Sequence, residues 1–405
     1  MGRITTNGRG RRWLERGHRW LYADDVADGE GDRGELLPVS GPNGESLGWG
    51  LFSSHSKIAV RLVTRAAEQP NRAFWAERID RAVRARRRLG FLHPSGACRL
   101  IAGDADGLPG WIVDRYADVL VLQSGCQGSD RMREFLVELV LESLEREGLP
   151  TPRAIFDRSD TSVRRLEDLE PRVEWLRGEA PAELAIEEPE SADAPRLVYE
   201  VDVTAGHKTE HYLDQVENRR RAGRLVATAG DAPRVLDAFS YDGLFGVRAA
   251  LSGAKEVLLL DQSAEAGERA LRNAERNGVA DRVRFEKVNA MHDLRDRAAS
   301  GARFDVVVVD PPAFARNKRE AEGAARGYRE LNRRAAELVA EEGVLVTASC
   351  SYAVKRDDFL GYVRDATRAA GRDAWLLEVT AAATDHPVLL GLPETNYLKC
   401  AFLRL

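Results

Sequence analysis

Beyond about residue 233, short apolar runs alternate with stretches of helical periodicity. The runs fall at 235–239, 257–261, 283–287, 305–309 and 344–348, followed by 375–379 and 397–403. Between them, Ala266, Ala270, Leu271 and Ala274 recur at helical spacing within 264–277, and 318–340 carries a second long helix. Continuous apolar strands alternating with helices predict a seven-stranded parallel sheet covered on both faces, an α/β domain.

The upstream chain has a different texture. Residues 35–63 read as short strands around turn signals: Leu36-Leu37-Pro38-Val39, the turn Gly41-Pro42-Asn43-Gly44, then 49–52 and 58–63. This pattern predicts a small β-barrel. Residues 73–89 lack Gly and Pro and carry Phe74, Ile79 and Val83 among many arginines, which predicts an exposed linking helix. Strand-like 98–102, 111–114 and 119–123, with a helix over 129–147, predict an α+β unit. Residues 178–195 hold six acids, three prolines and no base, so they read as an exposed loop. The expected domains are therefore a small β-barrel over 1–72, a linker helix and middle α+β domain over 73–196, and an α/β domain over 197–405. No internal repeat is found.

Composition narrows the function classes. With 405 residues, 43% hydrophobic and 31% charged, the chain reads as a water-soluble globular protein of several domains. No apolar run approaches the ~18 residues of a membrane span, and the N-terminal segment lacks the apolar stretch of a secretory signal. A cytoplasmic location is expected. Cys98, Cys126, Cys350 and Cys400 show no CxxC spacing and no His/Cys cluster, so neither a disulfide framework nor a metal site is expected. The net charge of −5 argues against indiscriminate coating of nucleic acid, yet residues 1–22 hold six arginines against Glu15, and residues 72–99 hold eight against Glu77 and Asp80. Those segments are either phosphate-contacting patches or solvated faces of an arginine-biased protein.

The predicted strand at 235–239 runs into a loop with Gly243 and Gly246, and the next strand ends at Asp261. Glycine lets backbone approach a ligand at the carboxyl end of a sheet, and a carboxylate about twenty residues further on accepts hydrogen bonds from ribose hydroxyls. A dinucleotide would use the same logic, but GxGxxG is absent and Asp242 would repel a pyrophosphate. A cofactor with a cationic centre and no phosphate suits the loop better. Asn289, after the third strand, offers an amide to an adenine edge or is simply a loop asparagine.

The fourth strand delivers Asp310-Pro311-Pro312-Ala313-Phe314. Two prolines stiffen the loop, so Asp310 is held where a planar base can be gripped, and Phe314 offers a stacking face. The fifth strand ends in Ser349-Cys350-Ser351, beside the same crevice and among polar neighbours that permit a thiolate. Carbon 5 of cytosine accepts a methyl group only after covalent attack at C6, and cysteine is the residue that such chemistry needs.

With these motifs the chain resembles the RlmI-type family of large-subunit ribosomal RNA cytosine-5 methyltransferases over nearly its whole length. The resemblance is carried by Arg16-Gly-His-Arg-Trp-Leu21, Ile101-Ala-Gly-Asp-Ala-Asp-Gly-Leu-Pro-Gly110, Asp157-Arg-Ser-Asp160, Gly206-His-Lys-Thr209, Tyr212-Leu-Asp-Gln215, Asp310-Pro-Pro312, Arg326-Gly-Tyr328, Ser349-Cys-Ser351, Asp385-His-Pro387, Pro393-Glu394 and Tyr397-Leu-Lys399. It implies a PUA domain, a middle α+β domain and a Rossmann-like class I methyltransferase domain. It implies Cys350 as nucleophile and Asp310 as the group that grips N3 and N4 of a flipped cytosine. Asp237, Phe239, Ser240, Gly243, Asp261, Gln262, Ser263, Asn289 and Asp310 would hold S-adenosyl-L-methionine. Pro311, Pro312, Phe314, Tyr328, Lys208, Tyr212 and Asp214 would face the substrate. The chain departs from the family pattern at Glu210, His211, Val216, Asn289 and Asp242-Gly-Leu244. Ala313 stands where other cytosine-5 RNA enzymes carry a second cysteine, which leaves the base for the C5 proton unassigned, with water a candidate.

The implied partner is RNA, 23S ribosomal RNA or a large-subunit assembly intermediate, with no membrane and with homodimer formation left open. Guanine N-methylation on the same scaffold and a non-catalytic ribosome-assembly factor remain alternatives. A nicotinamide oxidoreductase ranks last for want of a phosphate loop.

Overall fold

The computed structural model describes residues 2–181, 183–191, 194–204, 211–314 and 321–405. The chain divides into two units: one comprises Met1–Ile186, Val201–Leu213 and Thr384–Thr395, the other Glu187–Glu200, Asp214–Ala383 and Asn396–Leu405. Among the described residues no helix is long and apolar enough to cross a membrane.

The first unit contains two sheets. Six strands run in the order Trp20–Tyr22, Ile58–Thr64, Ser46–Phe52, Leu36–Ser40, Arg3–Thr6, Val26–Glu30. Their inward alternation buries Ile4, Leu21, Leu37, Val39, Val60 and Leu62. A five-stranded sheet follows, ordered Arg172–Arg177, Ala154–Ser159, Val119–Ser124, Trp111–Tyr116, Ala97–Ala102. The helix Arg72–Arg88 is not the exposed linker expected from its arginines. Trp75, Ile79, Ala82 and Val83 are buried in one core with Trp111, Leu122, Leu51 and Val63. Even Arg86 is buried, because Asp106 takes both of its terminal nitrogens at 2.8 Å and the Arg99 carbonyl takes Nε at 2.9 Å.

The region 178–195 also departs from expectation. Glu183–Glu188 is a strand paired with Leu197–Asp202, and Ile186 is fully buried. Glu188 is buried in the second unit, where Arg219 and Arg248 donate to it, the latter at 2.8 Å, and Arg220 lies 3.5 Å away. Desolvation is offset by three guanidinium groups, whose field holds the Glu188 carboxyl below the usual range against its burial.

The second unit is built on a seven-stranded sheet: β1 (Arg234–Ala238), β2 (Glu256–Asp261), β3 (Val283–Lys287), β4 (Phe304–Val309), β5 (Val339–Ser349), β6 (Trp375–Thr380) and β7 (Lys399–Arg404). The spatial order is β3-β2-β1-β4-β5-β7-β6. Strands β1 to β5 pair in parallel. The all-parallel expectation fails at β7, which runs antiparallel to both neighbours. The chain between β6 and β7 has only a short 3-10 turn at Pro393–Thr395 and no crossover helix, and a parallel return needs such a crossover. Helices α1 (Val216–Val226), α2 (Leu244–Leu251), α3 (Ala264–Arg276), α4 (Ala290–Ala299), α5 (Ala321–Leu338) and α6 (Arg356–Ala369) accompany the strands. Leu236, Leu260, Val307, Val309 and Leu345 pack with Tyr328, Leu331 and Phe359 from α5 and α6. Strand order reverses between β1 and β4, which opens a ligand crevice at the carboxyl ends of the parallel strands.

Candidate active site

Strand β1 carries Asp237, and the chain then turns into α2. Phe239, Tyr241 and Gly243 take left-handed backbone conformations, with φ of +64°, +50° and +74°. Such conformations cost a non-glycine residue about 1–2 kcal/mol, and here they are held by hydrogen bonds: Ser240 N donates to Leu260 O at 3.0 Å and Gly243 N to Ser240 O at 2.8 Å. Gly246 lies in the first turn of α2, where a Cβ would sit 2.3 Å from Leu259 Cδ2. That close approach lets Gly246 N donate to Asp237 Oδ2 at 3.0 Å.

Asp261 ends β2 with both oxygens oriented by backbone. Tyr241 N donates to Oδ2 and Ser263 N to Oδ1, each at 3.0 Å. Ser263 caps α3 by accepting from Ala266 N at 3.2 Å. Asn289 is an exposed cap of α4, accepting from His292 N at 3.3 Å, so its oxygen serves the helix and its amide NH₂ is the group left to face a ligand. Gln262 is exposed beside Asp261.

This end of the sheet is strongly negative. Burial, reinforced by the fields of Asp310, Asp242 and Asp261, pushes the Asp237 carboxyl well above the usual carboxylate range, against the Gly246 N–H bond that lowers it. A cation bound among these groups would relieve that repulsion.

Strands β4 and β5 are adjacent and parallel, with Val309 opposite Thr347. They deliver Asp310 and Cys350 just beyond their carboxyl ends. Pro311 is buried, Pro312 exposed and Phe314 half-buried. Cys350 is half-buried, flanked by buried Ser349 and Ser351. The Tyr328 hydroxyl lies 2.8 Å from both serine oxygens. Its ring meets Phe314 at 4.8 Å between centroids and Phe359 at 5.5 Å. Tyr328 was expected to face substrate; it is fully buried, and its hydrogen bonds make it the brace of the Cys350 segment instead.

Four residues with no role assigned from sequence, Gln215, Asn218, Thr380 and Lys399, complete the geometry. Gln215 Nε2 donates to Asp310 Oδ2 at 2.7 Å. Gln215 Oε1 accepts from Asn218 Nδ2 at 2.6 Å, and Asn218 Oδ1 accepts from Thr380 Oγ1 at 2.6 Å. Lys399, opposite Ser349 in the β5–β7 register, donates from Nζ to Ser351 O at 2.8 Å and Tyr397 O at 2.9 Å. Burial lowers the Lys399 ammonium to about 8, and Cys350 is the charged group that acts in the opposite direction. Only the motif Tyr212-Leu-Asp-Gln215 and the run Tyr397-Leu-Lys399 pointed towards these positions.

Asp214 accepts from the Tyr397 hydroxyl at 2.7 Å, within the same unit. Tyr212 is exposed and belongs to the other unit. Lys208 lies outside the described residues.

A family profile described as a PUA-like domain matches residues 4–65, and one described as S-adenosylmethionine-dependent methyltransferase matches residues 163–380. Ribosomal RNA large subunit methyltransferase I of Shewanella amazonensis is 40% identical over 391 residues, covering 95% of this chain and 95% of that protein. The chain belongs to this methyltransferase family. The Aeromonas salmonicida protein of the same description is 37% identical over 396 residues, 96% of each chain. The crystal structure of SMU.776 complexed with SAH shares the fold, with a TM-score of 0.83 at 20% identity over 100% of both chains.

S-adenosylmethionine is accordingly the cofactor of this family member, and the residues fit it. Ser240 Oγ is buried without a hydrogen-bond partner among the described residues, and the Asp237 environment favours a cation. The resemblance read from the sequence motifs is thereby borne out at the level of family, fold and cofactor.

Proposed function

We propose that the protein methylates carbon 5 of a cytosine in large-subunit ribosomal RNA through a covalent adduct between Cys350 and C6. The observation that carries this reading is the delivery of a thiol and a carboxyl by the adjacent parallel strands β5 and β4, each just beyond the carboxyl end of its strand. The relatives in Shewanella amazonensis and Aeromonas salmonicida, both described as ribosomal RNA large subunit methyltransferase I, favour ribosomal RNA as the substrate.

In this reading the cofactor supplies an electrophilic methyl group on a sulfonium. Asp237, Ser240 and Gly243 would line its pocket, the Asp261 carboxylate would take the ribose hydroxyls, and the Asn289 amide would serve the adenine; Phe239, Gln262 and Ser263 would complete the rim. A cytosine flipped from its stack, at a cost of a few kcal/mol, lies on the rigid Pro311-Pro312 turn against Phe314. The Cys350 thiolate forms a bond to C6 while Asp310 hydrogen-bonds N3 and N4, and the ring electrons move to make C5 a nucleophile. Carbon 5 would then displace the methyl group from the sulfonium, the S–CH₃ bonding pair staying on sulfur and S-adenosylhomocysteine being the leaving group. A base, with water a candidate, removes the C5 proton, and the electron pair expels the thiolate and restores the ring. Gln215 and Tyr328 are positioning residues: one aims Asp310, the other fixes the peptides around Cys350. Asp214 stabilises the Tyr397 end of β7.

Nucleoside mass spectrometry of ribosomal RNA treated with the protein and S-adenosylmethionine tests the product. The expected gain is 5-methylcytidine. Appearance of an N-methylguanosine instead contradicts the cytosine reading, and absence of any methylated product supports a non-catalytic assembly role.

A further inference from the structure

The two arginine-rich segments of the sequence meet in the first unit. Arg19, just ahead of the strand Trp20–Tyr22, and Arg78, in the helix Arg72–Arg88, both donate to one carbonyl oxygen, Val63 O, at 2.9 Å and 2.8 Å. Arg78 also donates to Gly107 O at 3.2 Å, and its guanidinium lies 4.4 Å from the centre of the Phe74 ring. Gly107 has φ of +75°, and a Cβ there would fall 1.7 Å from Arg78 Nη1, so the turn is shaped around the guanidinium. Arg78 Nε is buried with no hydrogen-bond partner among the described residues.

Such an arrangement is electrostatically unfavourable by itself. Burial, together with the fields of Arg19 and Arg81, lowers Arg78 to about 10. Arg19 is lowered by burial and by Arg65. The acid that acts on Arg19 is Asp104, which accepts from Trp20 Nε1 at 2.8 Å. Among the described residues no carboxylate forms an ion pair with Arg19, Arg65, Arg78 or Arg81. Two half-buried guanidinium groups thus share one carbonyl with two further arginines beside them, a concentration of positive charge that an anion would offset. A tetrahedral anion with several acceptor oxygens suits planar, forked donors.

We propose that Arg19 and Arg78, flanked by Arg65 and Arg81, form a phosphodiester-binding site that holds the backbone of the RNA substrate. It rests on the RNA reading above for the owner of the phosphate, and on the arginine geometry for the site.

The test is binding of an unmodified large-subunit ribosomal RNA transcript to the full chain over a series of KCl concentrations, with wild type, Arg19→Met and Arg78→Met. Each substitution is expected to weaken binding about tenfold near physiological salt and to reduce the slope of log K against log salt by about 0.7–1. S-adenosylmethionine affinity should be unchanged, and Arg78→Lys should recover most of the slope. Folded variants with wild-type affinity and slope overturn the site while leaving the RNA reading intact; a wild type that binds no RNA contradicts both. Should Arg78→Met fail to fold, phenylglyoxal modification of the wild type decides: protection of Arg19 and Arg78 by the transcript is expected, and equal modification with and without it overturns the proposal.

Discussion

Gln215 Nε2 lies 2.7 Å from Asp310 Oδ2 and donates to it. Asp310 is thus aimed by a side chain from the segment ahead of α1, not only by the two prolines that follow it. The same glutamine is fixed through Asn218 to Thr380 on β6, so the orientation of the carboxyl is built into three elements. Gln215→Leu removes a hydrogen bond to a charged group, worth about 1.5–3 kcal/mol. A fall in kcat of roughly ten- to hundredfold is expected, with S-adenosylmethionine affinity near that of the wild type. Steady-state methylation assays and calorimetry on the same preparation check it.

Asp237 combines a structural cost with the cofactor-binding role proposed for it. Its carboxyl is raised by burial and by three neighbouring carboxylates. A folded pKa above the unfolded value means that the cofactor-free protein binds the proton more tightly folded, so stability is lost as pH rises through the folded pKa. Asp237→Asn should therefore raise the Tm of the cofactor-free protein at neutral pH and abolish S-adenosylmethionine binding. Wild-type cofactor affinity should fall on acidification, because the bound cation favours the ionised carboxylate. Thermal unfolding with and without cofactor, from about pH 5 to 8, measures both effects.

Lys399 sits beside the peptide that follows Cys350, with its ammonium lowered to about 8. Below that pH it is a cation and supports a neighbouring thiolate; above it the support is lost. Lys399→Met is expected to slow alkylation of Cys350 by iodoacetamide about tenfold near neutral pH, equivalent to about 1.4 kcal/mol. The gap from wild type should narrow as pH rises past 8. Peptide mapping separates Cys350 from the buried Cys98, Cys126 and Cys400.

Gly246 has no space for a side chain: a Cβ would lie 2.3 Å from Leu259 Cδ2 and 2.9 Å from Val257 Cγ1. Gly246→Ala must displace β2 or α2, at a cost of about 1–3 kcal/mol. Urea unfolding should show that loss, together with weakened S-adenosylmethionine binding, because the Gly246 N–H bond to Asp237 moves with the helix.

The catalytic sheet was legible because its central strands are buried on both faces and read as unbroken apolar runs, as in Val306-Val307-Val308-Val309. Asp310 and Cys350 were legible because they directly follow two of those runs. Long-range charge pairing was not. Glu188 looks like part of an acidic loop until Arg219, Arg220 and Arg248 are brought to it, and Arg86 looks solvated until Asp106 and the Arg99 carbonyl enclose it. The direction of β7 depends on the missing crossover helix, which periodicity does not report. Tyr328 carried a motif but not its burial, which comes from packing against Phe314 and Phe359.

The most direct measurement is methyl transfer to a large-subunit ribosomal RNA transcript by Cys350→Ala, with S-adenosylmethionine binding followed by calorimetry on the same sample. The covalent account requires that cofactor affinity persist while 5-methylcytidine formation disappears. Methylation at the wild-type rate by that variant would contradict it.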